Sequence, residues 1–320
     1  MKSPKFLLCS IAHRCVLLLL IIFLSSRALA QEVLYVAEGG GIFNVTSGDN
    51  FGSQPIFVTS PITSPTSGIL GLTANSSGYL FATNPGLGTV YKISPNGIVT
   101  TIATGLSNPF GIALDSSDNV FVTNLDLGVS GGSSIIKITP SDAITTFATG
   151  LFNPVFMTID GSNNLYVSNQ GNNTISKITP SGTLSAFAPG INGPEGLAFD
   201  SSGNLFVSSD SNNIYKVTPS GVTSLFATTT LPQSSGLVFD ASGNLLVSNR
   251  QGQSILEVTP GGSISTYAFN VYNQGPPEGL VFVSPNIPEP ETWSLFAGGF
   301  ALALVAGIRK RQALQFTLAP

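Results

Sequence analysis

The sequence predicts an all-β chain whose body, residues 31–287, closes into a six-bladed β-propeller. Three observations predict it: the composition, an internal repeat near 40 residues, and the way the two ends of the repeat array complement each other. Of 320 residues, 42% are hydrophobic and only 9% charged, with 35 glycines and 21 prolines; a globular chain carries roughly 25% charged residues. Ser, Thr, Asn and Gly fill the deficit, which favours strands and turns over helices with salt-bridged faces. Coiled coils are excluded, and so much hydrophobic content excludes a disordered chain.

The repeat reads GLTANSSGYLFATN from Gly71, GIALDSSDNVFVTN from Gly111, FMTIDGSNNLYVSN from Phe156, GLAFDSSGNLFVSS from Gly196 and GLVFDASGNLLVSN from Gly236, with a last fragment, GLVFVSP, from Gly279. The spacings are 40, 45, 40, 40 and 43, the long one owing to an insertion around Leu127 to Gly132. Each period parses into four short strands: Leu197 to Phe199, a turn from Asp200 to Asn204, then Leu205 to Ser208, Ile214 to Thr218, and Thr223 to Ala227. No stretch of the body sustains a helical period, and short strands at even spacing fit a propeller, sandwich or solenoid. The ends choose among these. Val33 to Ala37 reads as a second strand, and Gly279 to Val283 as an isolated first strand. Joined, they complete a sixth unit, as a closed ring requires and an open solenoid with capping ends does not. Blades packed on both faces also explain why LFV and LYV lack polar alternation.

The chain ends carry different signals. Lys2, Lys5 and Arg14, an apolar core from Val16 to Leu24, and Ala28-Leu29-Ala30 before Gln31 read as a secretory signal over residues 1–30. Both cysteines, Cys9 and Cys15, and the single histidine, His13, lie inside it. The exported chain therefore has no disulfide, no thiol nucleophile and no imidazole acid or base. At the other end Pro288-Glu289-Pro290 precedes Thr292 to Ile308, an uncharged apolar run just long enough to span a bilayer, and then Arg309-Lys310-Arg311. This pattern over residues 288–311 resembles the PEP-CTERM sorting signal. The resemblance implies a transmembrane helix at 292–308, an exosortase-type sorting enzyme as partner, and residence in the envelope or at the surface. Residues 312–320 form a short tail beyond the usual end of such signals.

The body resembles the NHL and SMP-30/gluconolactonase-like propellers through its recurring G-[LI]-x-[FLI]-D-x-x-G-N-[LV]-[FY]-V-[ST]-N followed by [IV]-x-K-[IV]-[ST]-P. As a fold signal this is strong; it leaves activity open, because such folds host unrelated chemistries. Asp115, Asp160, Asp200 and Asp240 precede small-residue turns, and Asn75 at the same place favours Asx turns over calcium loops. Lys92, Lys137, Lys177 and Lys216 share one third-strand position and read as blade-serving contacts. Five bases against fourteen acids in residues 31–287 argue against a nucleic-acid partner.

Two sets of residues are candidates for function. Asn84, Asn124, Asn169 and Asn249 end the second strands, with Glu38 and Ser209 as equivalents. The resemblance places this ring on the face where propellers bind ligands. With Gln170, Asp210 and Arg250 beside it, the ring can hydrogen-bond a carbohydrate, or it can be turn chemistry. The second set precedes the first-strand glycine: Leu70, Phe110, Val155, Glu195, Ser235 and Glu278. The resemblance puts metal ligands of gluconolactonase-like enzymes at this position. It implies Glu195 and Glu278, with Asn153 nearby, as ligands of a divalent cation such as Ca²⁺; the plain alternative is two carboxylates at a channel mouth. Propeller lyases that inactivate streptogramins look similar in repeat pattern, but they use a histidine that the exported chain lacks. The expected function is thus an exported, surface-sorted binding or scaffold module that contacts extracellular polysaccharide or an envelope protein. The alternative is a metal-dependent hydrolase of the lactonase type.

Overall fold

The computed structural model describes residues 32–38, 41–45, 56–58, 68–125, 133–229, 234–269 and 277–283. The signal segment, the apolar run 292–308 and the tail lie outside them; among the described residues no helix is long and apolar enough to cross a membrane. The strands form six antiparallel four-stranded sheets. Blades 1 to 5 span residues 72–103, 109–151, 154–189, 194–228 and 234–268. Blade 6 is composite: Leu280–Val283 pairs with Val33–Glu38, followed by Gly41–Val45 and Ile56–Val58. Its register sets Leu34 opposite Phe282 and Tyr35 opposite Val281. The expected ring of six blades, closed by strands from both ends of the body, is therefore the architecture found.

The core is six separate layers, each between two neighbouring blades. Phe121, Ile135 and Leu151 of blade 2 meet Met157, Leu165 and Val167 of blade 3; Leu246 and Ile255 of blade 5 meet Leu34, Phe43 and Leu280 of blade 6; and Ala37 and Ile42 of blade 6 meet Leu72 and Leu80 of blade 1. Each second strand is buried on both faces, so its residues are apolar without a period of two. Successive aromatic residues reinforce the layers, as where Tyr166 meets Phe187 and Phe199 edge-on at 4.8 and 5.0 Å.

The recurring polar residues are consumed locally. Asp200 Oδ1 accepts from the backbone N–H groups of Ser202 and Asn204 at 2.9 and 2.8 Å, and its Oδ2 from the Asn204 side chain. Asp115, Asp160 and Asp240 repeat this turn. The four lysines lie over aromatic rings of their own blades, Lys92 over Tyr79 at 4.8 Å and Lys216 over Phe206 at 5.4 Å. A third recurrence, not assigned from sequence, links blades. The hydroxyl near the end of the second strand accepts from the first-strand glycine N–H and donates to a carbonyl of the next blade. Ser208 Oγ takes Gly196 N at 2.9 Å and gives to Ser235 O at 2.7 Å; Thr123 and Ser248 do the same with Val155 and Glu278. These glycines sit against that carbonyl, where a Cβ would collide. Blade 3 differs: Phe156 occupies the glycine place, and Ser168 donates back to Phe156 O instead of across to the next blade.

Candidate functional site: a charged cluster at one channel mouth

The first strands line a central cavity of about 440 Å³, running from the glycine level (Gly71, Gly196, Gly236, Gly279) to Phe199 and Phe239. The residue before each glycine stands at one end of this channel, and so does the residue after each second strand. The end is divided in two. Blades 1 to 3 supply Leu70, Phe110 and Val155, and blades 4 to 6 supply Glu195, Ser235 and Glu278. One step outward, Pro85 and Leu125 are followed by Gln170, Asp210 and Arg250. Phe110 is half-buried and packs edge-on against Phe156 at 5.2 Å. Phe152 and Leu87, in loops at the same end, are each 45% exposed. The residues before the first-strand glycine are thus apolar in blades 1 to 3 and polar or charged in blades 4 to 6.

Within the charged arc Arg250 joins the two glutamates. Its Nε donates to Glu278 Oε2 at 2.7 Å, and its Nη1 to Glu195 Oε1 at 3.5 Å. Ser235 Oγ also donates to Glu278 Oε2, at 2.9 Å, and Gln170 Nε2 to Glu195 Oε1, at 3.2 Å. Glu195 and Glu278 are only 2% and 6% exposed. Burial raises the Glu278 carboxyl, against the pull of Arg250 and Ser235. The short guanidinium contact marks it as the ionised partner. Burial pushes Glu195 up to about 8; Arg250 pulls it down, and Asp210 and Glu278 push it up. No donor of the described residues reaches Glu195 Oε2, which is buried, yet the Asp210 carboxyl lies within hydrogen-bonding reach of Glu195. Two carboxyl groups make such a bond only when one is protonated. At neutral pH the cluster is therefore one guanidinium, one carboxylate and one carboxylic acid, with the exposed Asp210 beside it.

Glu195 and Glu278 do converge on the channel mouth, but a guanidinium, with its own fixed charge, occupies the place between them. Among the described residues no three His, Cys, Asp or Glu side chains are grouped so as to hold a metal ion. Asn153 adopts φ 49° in the loop entering blade 3, where its carbonyl accepts from Gln170 N at 3.1 Å. The asparagine ring is turn chemistry. Asn84 Oδ1 accepts from Leu87 N at 3.0 Å, Asn124 from Ser107 N at 2.7 Å, Asn169 from Phe152 N at 3.3 Å, and Asn249 from Gly252 N. Asn84, Asn169 and Asn249 are at most 1% exposed, and these bonds hold loops. Glu38 ends its strand opposite Gly41, and its side chain lies outside the described ones. The residues that do face the mouth are their neighbours Gln170, Asp210 and Arg250.

Fold and site together define a six-bladed propeller with a polar, ion-paired mouth. The chain belongs to the Virginiamycin B lyase family, whose model matches residues 50–286. Solved structures share the fold at low identity. A nidogen/laminin complex is 20% identical with a TM-score of 0.67, covering 79% of this chain and 98% of that one. A catalytically inactive histidine-to-alanine variant of virginiamycin B lyase from Staphylococcus aureus, with quinupristin, is 20% identical with a TM-score of 0.58, covering 80% and 92%. A gluconolactonase-like protein is 19% identical with a TM-score of 0.56, covering 68% and 82%. No curated protein sequence matches the chain. The family-matched region contains no histidine, since His13 is the only one in the sequence.

Proposed function

We propose that this propeller is a binding module that holds a polyhydroxylated ligand of the carbohydrate class over its channel mouth. The carrying observation is the divided mouth. Pyranose rings present an apolar C–H face and a polar rim, which suit the Phe110 and Phe152 arc and the Gln170, Asp210 and Arg250 arc respectively. Arg250 spends two of its five donors on the glutamates and is 22% exposed. Asp210 is exposed, as a rim acceptor should be. That a relative of this fold occurs in a nidogen/laminin complex is consistent with a binding role for such a scaffold. On a glycan array of matrix polysaccharides, the purified protein should bind at least one class. Asp210→Ala and Phe152→Ala should each weaken that binding about tenfold, the worth of one good polar or stacking contact. Silence across the array would overturn the reading.

The N-terminal and C-terminal signals support export and sorting to the envelope. Sequencing the envelope-associated protein should give a first residue at Gln31; a chain starting at Met1 in the cytoplasm would refute this. The lactonase-type alternative needs a cation where Arg250 now stands. Calorimetric titration with Ca²⁺, Mn²⁺ and Zn²⁺ should therefore show no heat beyond the buffer control, and one site saturating in the micromolar range would revive the hydrolase.

A further inference from the structure

One atom of the charged cluster has no donor. Glu195 Oε2 is buried and accepts no hydrogen bond from the described residues, while Oε1 of the same carboxyl receives both Gln170 and Arg250. The group beside it is another acceptor, the exposed carboxylate of Asp210. Space has been left for that carboxylate: Gly193, at φ 55°, lies where a Cβ would strike Asp210 Oδ2. The charged and titratable groups facing Glu195 are Arg250, Asp210 and Glu278, and Arg250 is already matched by Glu278 at 2.7 Å. What the pair lacks is a donor carrying positive charge.

We propose that Glu195 and Asp210 form a site for a protonated amine, so that the carbohydrate held at the mouth is one bearing free amino groups. The place of this site rests on the binding reading above; its chemistry rests on the orphaned oxygen. An ammonium has three donors and no acceptor, and can give one hydrogen bond to each carboxylate. In the free protein a proton between the two carboxyls holds that place. Exchanging it for an ammonium, with the proton released to solvent, leaves the local charge unchanged and gives both oxygens a charge-assisted bond. A hydroxyl brings no charge, so it would leave Glu195 either protonated or buried as an unmatched anion. The acid excess of the body, fourteen against five, also draws cations rather than anions to the surface.

The test compares a chitosan tetramer with its fully N-acetylated counterpart by calorimetry at pH 6, with ethanolamine and ethylene glycol as amine and neutral probes without a sugar. The chitosan tetramer should bind at least about tenfold more tightly than the acetylated one, and ethanolamine should bind where ethylene glycol does not. Asp210→Asn, an exposed change that spares the fold, should erase the preference, and Glu195→Gln should do the same in protein shown by its melt to be folded. Equal binding of the two tetramers, or a preference that survives in Asp210→Asn, overturns the amine site and leaves the carbohydrate reading standing. Ethanolamine binding without either tetramer supports the amine site and refutes the carbohydrate reading. Failure of all four probes overturns the amine site.

Discussion

Arg250→Met will destabilise the protein by about 3–5 kcal/mol at pH 7, the cost of leaving buried carboxyls without their partner. For a chain of this size that lowers the melting temperature by roughly 10 °C. The methionine fills much of the same volume, so the loss is electrostatic. Glu278 Oε2 would keep only Ser235, and Glu195 Oε1 only Gln170. Glu278→Gln in the Arg250→Met background should recover part of the loss, because the double variant buries no unmatched charge. A thermal melt of the three proteins decides it. If Arg250→Met melts within about 2 °C of the parent, a shift too small for a lost buried pair, the cluster is not a structural pairing and its assignment as one guanidinium, one carboxylate and one carboxylic acid fails.

The pH dependence carries a definite sign. Glu195 has its carboxyl raised from the ordinary 4.5 to about 8 in the folded protein. The folded state therefore binds a proton that the unfolded state has released over the interval between these values. By linkage, the stabilising contribution of that proton is complete below about 4.5 and declines as the pH rises through about 8. Glu195→Gln, which cannot titrate, should flatten this slope. In Arg250→Met the penalty should be smaller at pH 5 than at pH 8, because protons can then neutralise the carboxyls that the guanidinium no longer serves.

The fold was legible because its information is repeated. Turn aspartate, first-strand glycine and third-strand lysine each recur in four of the five full units, so a pattern weak in one blade is strong over five. The closing blade was legible from phase alone, since VLYVA reads as a second strand and GLVFV as a first. The site was less so, because function sits where the repeat is broken. Glu195 and Glu278 showed themselves as acids at a place otherwise holding Leu, Phe, Val or Ser. Their partner did not: Arg250 comes from the end of a different strand, and only the curvature of the ring brings it within reach of both. Asn84 and Asn249 were ambiguous for the opposite reason. They recur in register like a ligand ring, yet an asparagine at a strand end satisfies backbone N–H groups as readily as it meets a ligand, and sequence does not say which way the amide turns. Phe156 in the glycine place was visible in the aligned repeats, but its meaning required knowing that the glycine touches the next blade's carbonyl.

A chain ending at residue 276 should not fold. The missing segment supplies the first strand of blade 6, whose residues reach into two core layers. Leu280 packs with Leu246 and Ile255 of blade 5, joined by Phe282; Val281 and Val283 pack against the layer of Leu72, Leu80 and Tyr91 in blade 1. At about 1.5–3 kcal/mol for each large apolar side chain fully buried, and less for the half-buried Val281, Phe282 and Val283, the four residues amount to roughly 4–8 kcal/mol, comparable to the whole stability of an ordinary domain. Removal also strips the hydrogen bonds of Val33–Glu38 along one edge and takes away Glu278, and with it the charge facing Arg250. Because every layer in a closed ring is shared by two blades, the damage cannot remain in one of them. The truncated protein should give no cooperative melt and should be cut rapidly by protease. A synthetic peptide of residues 277–287 added in trans should restore protection. A truncated chain that melts cooperatively within a few degrees of the parent would mean that the other blades hold together as an open arc, and that the joining of the two ends contributes little to the fold.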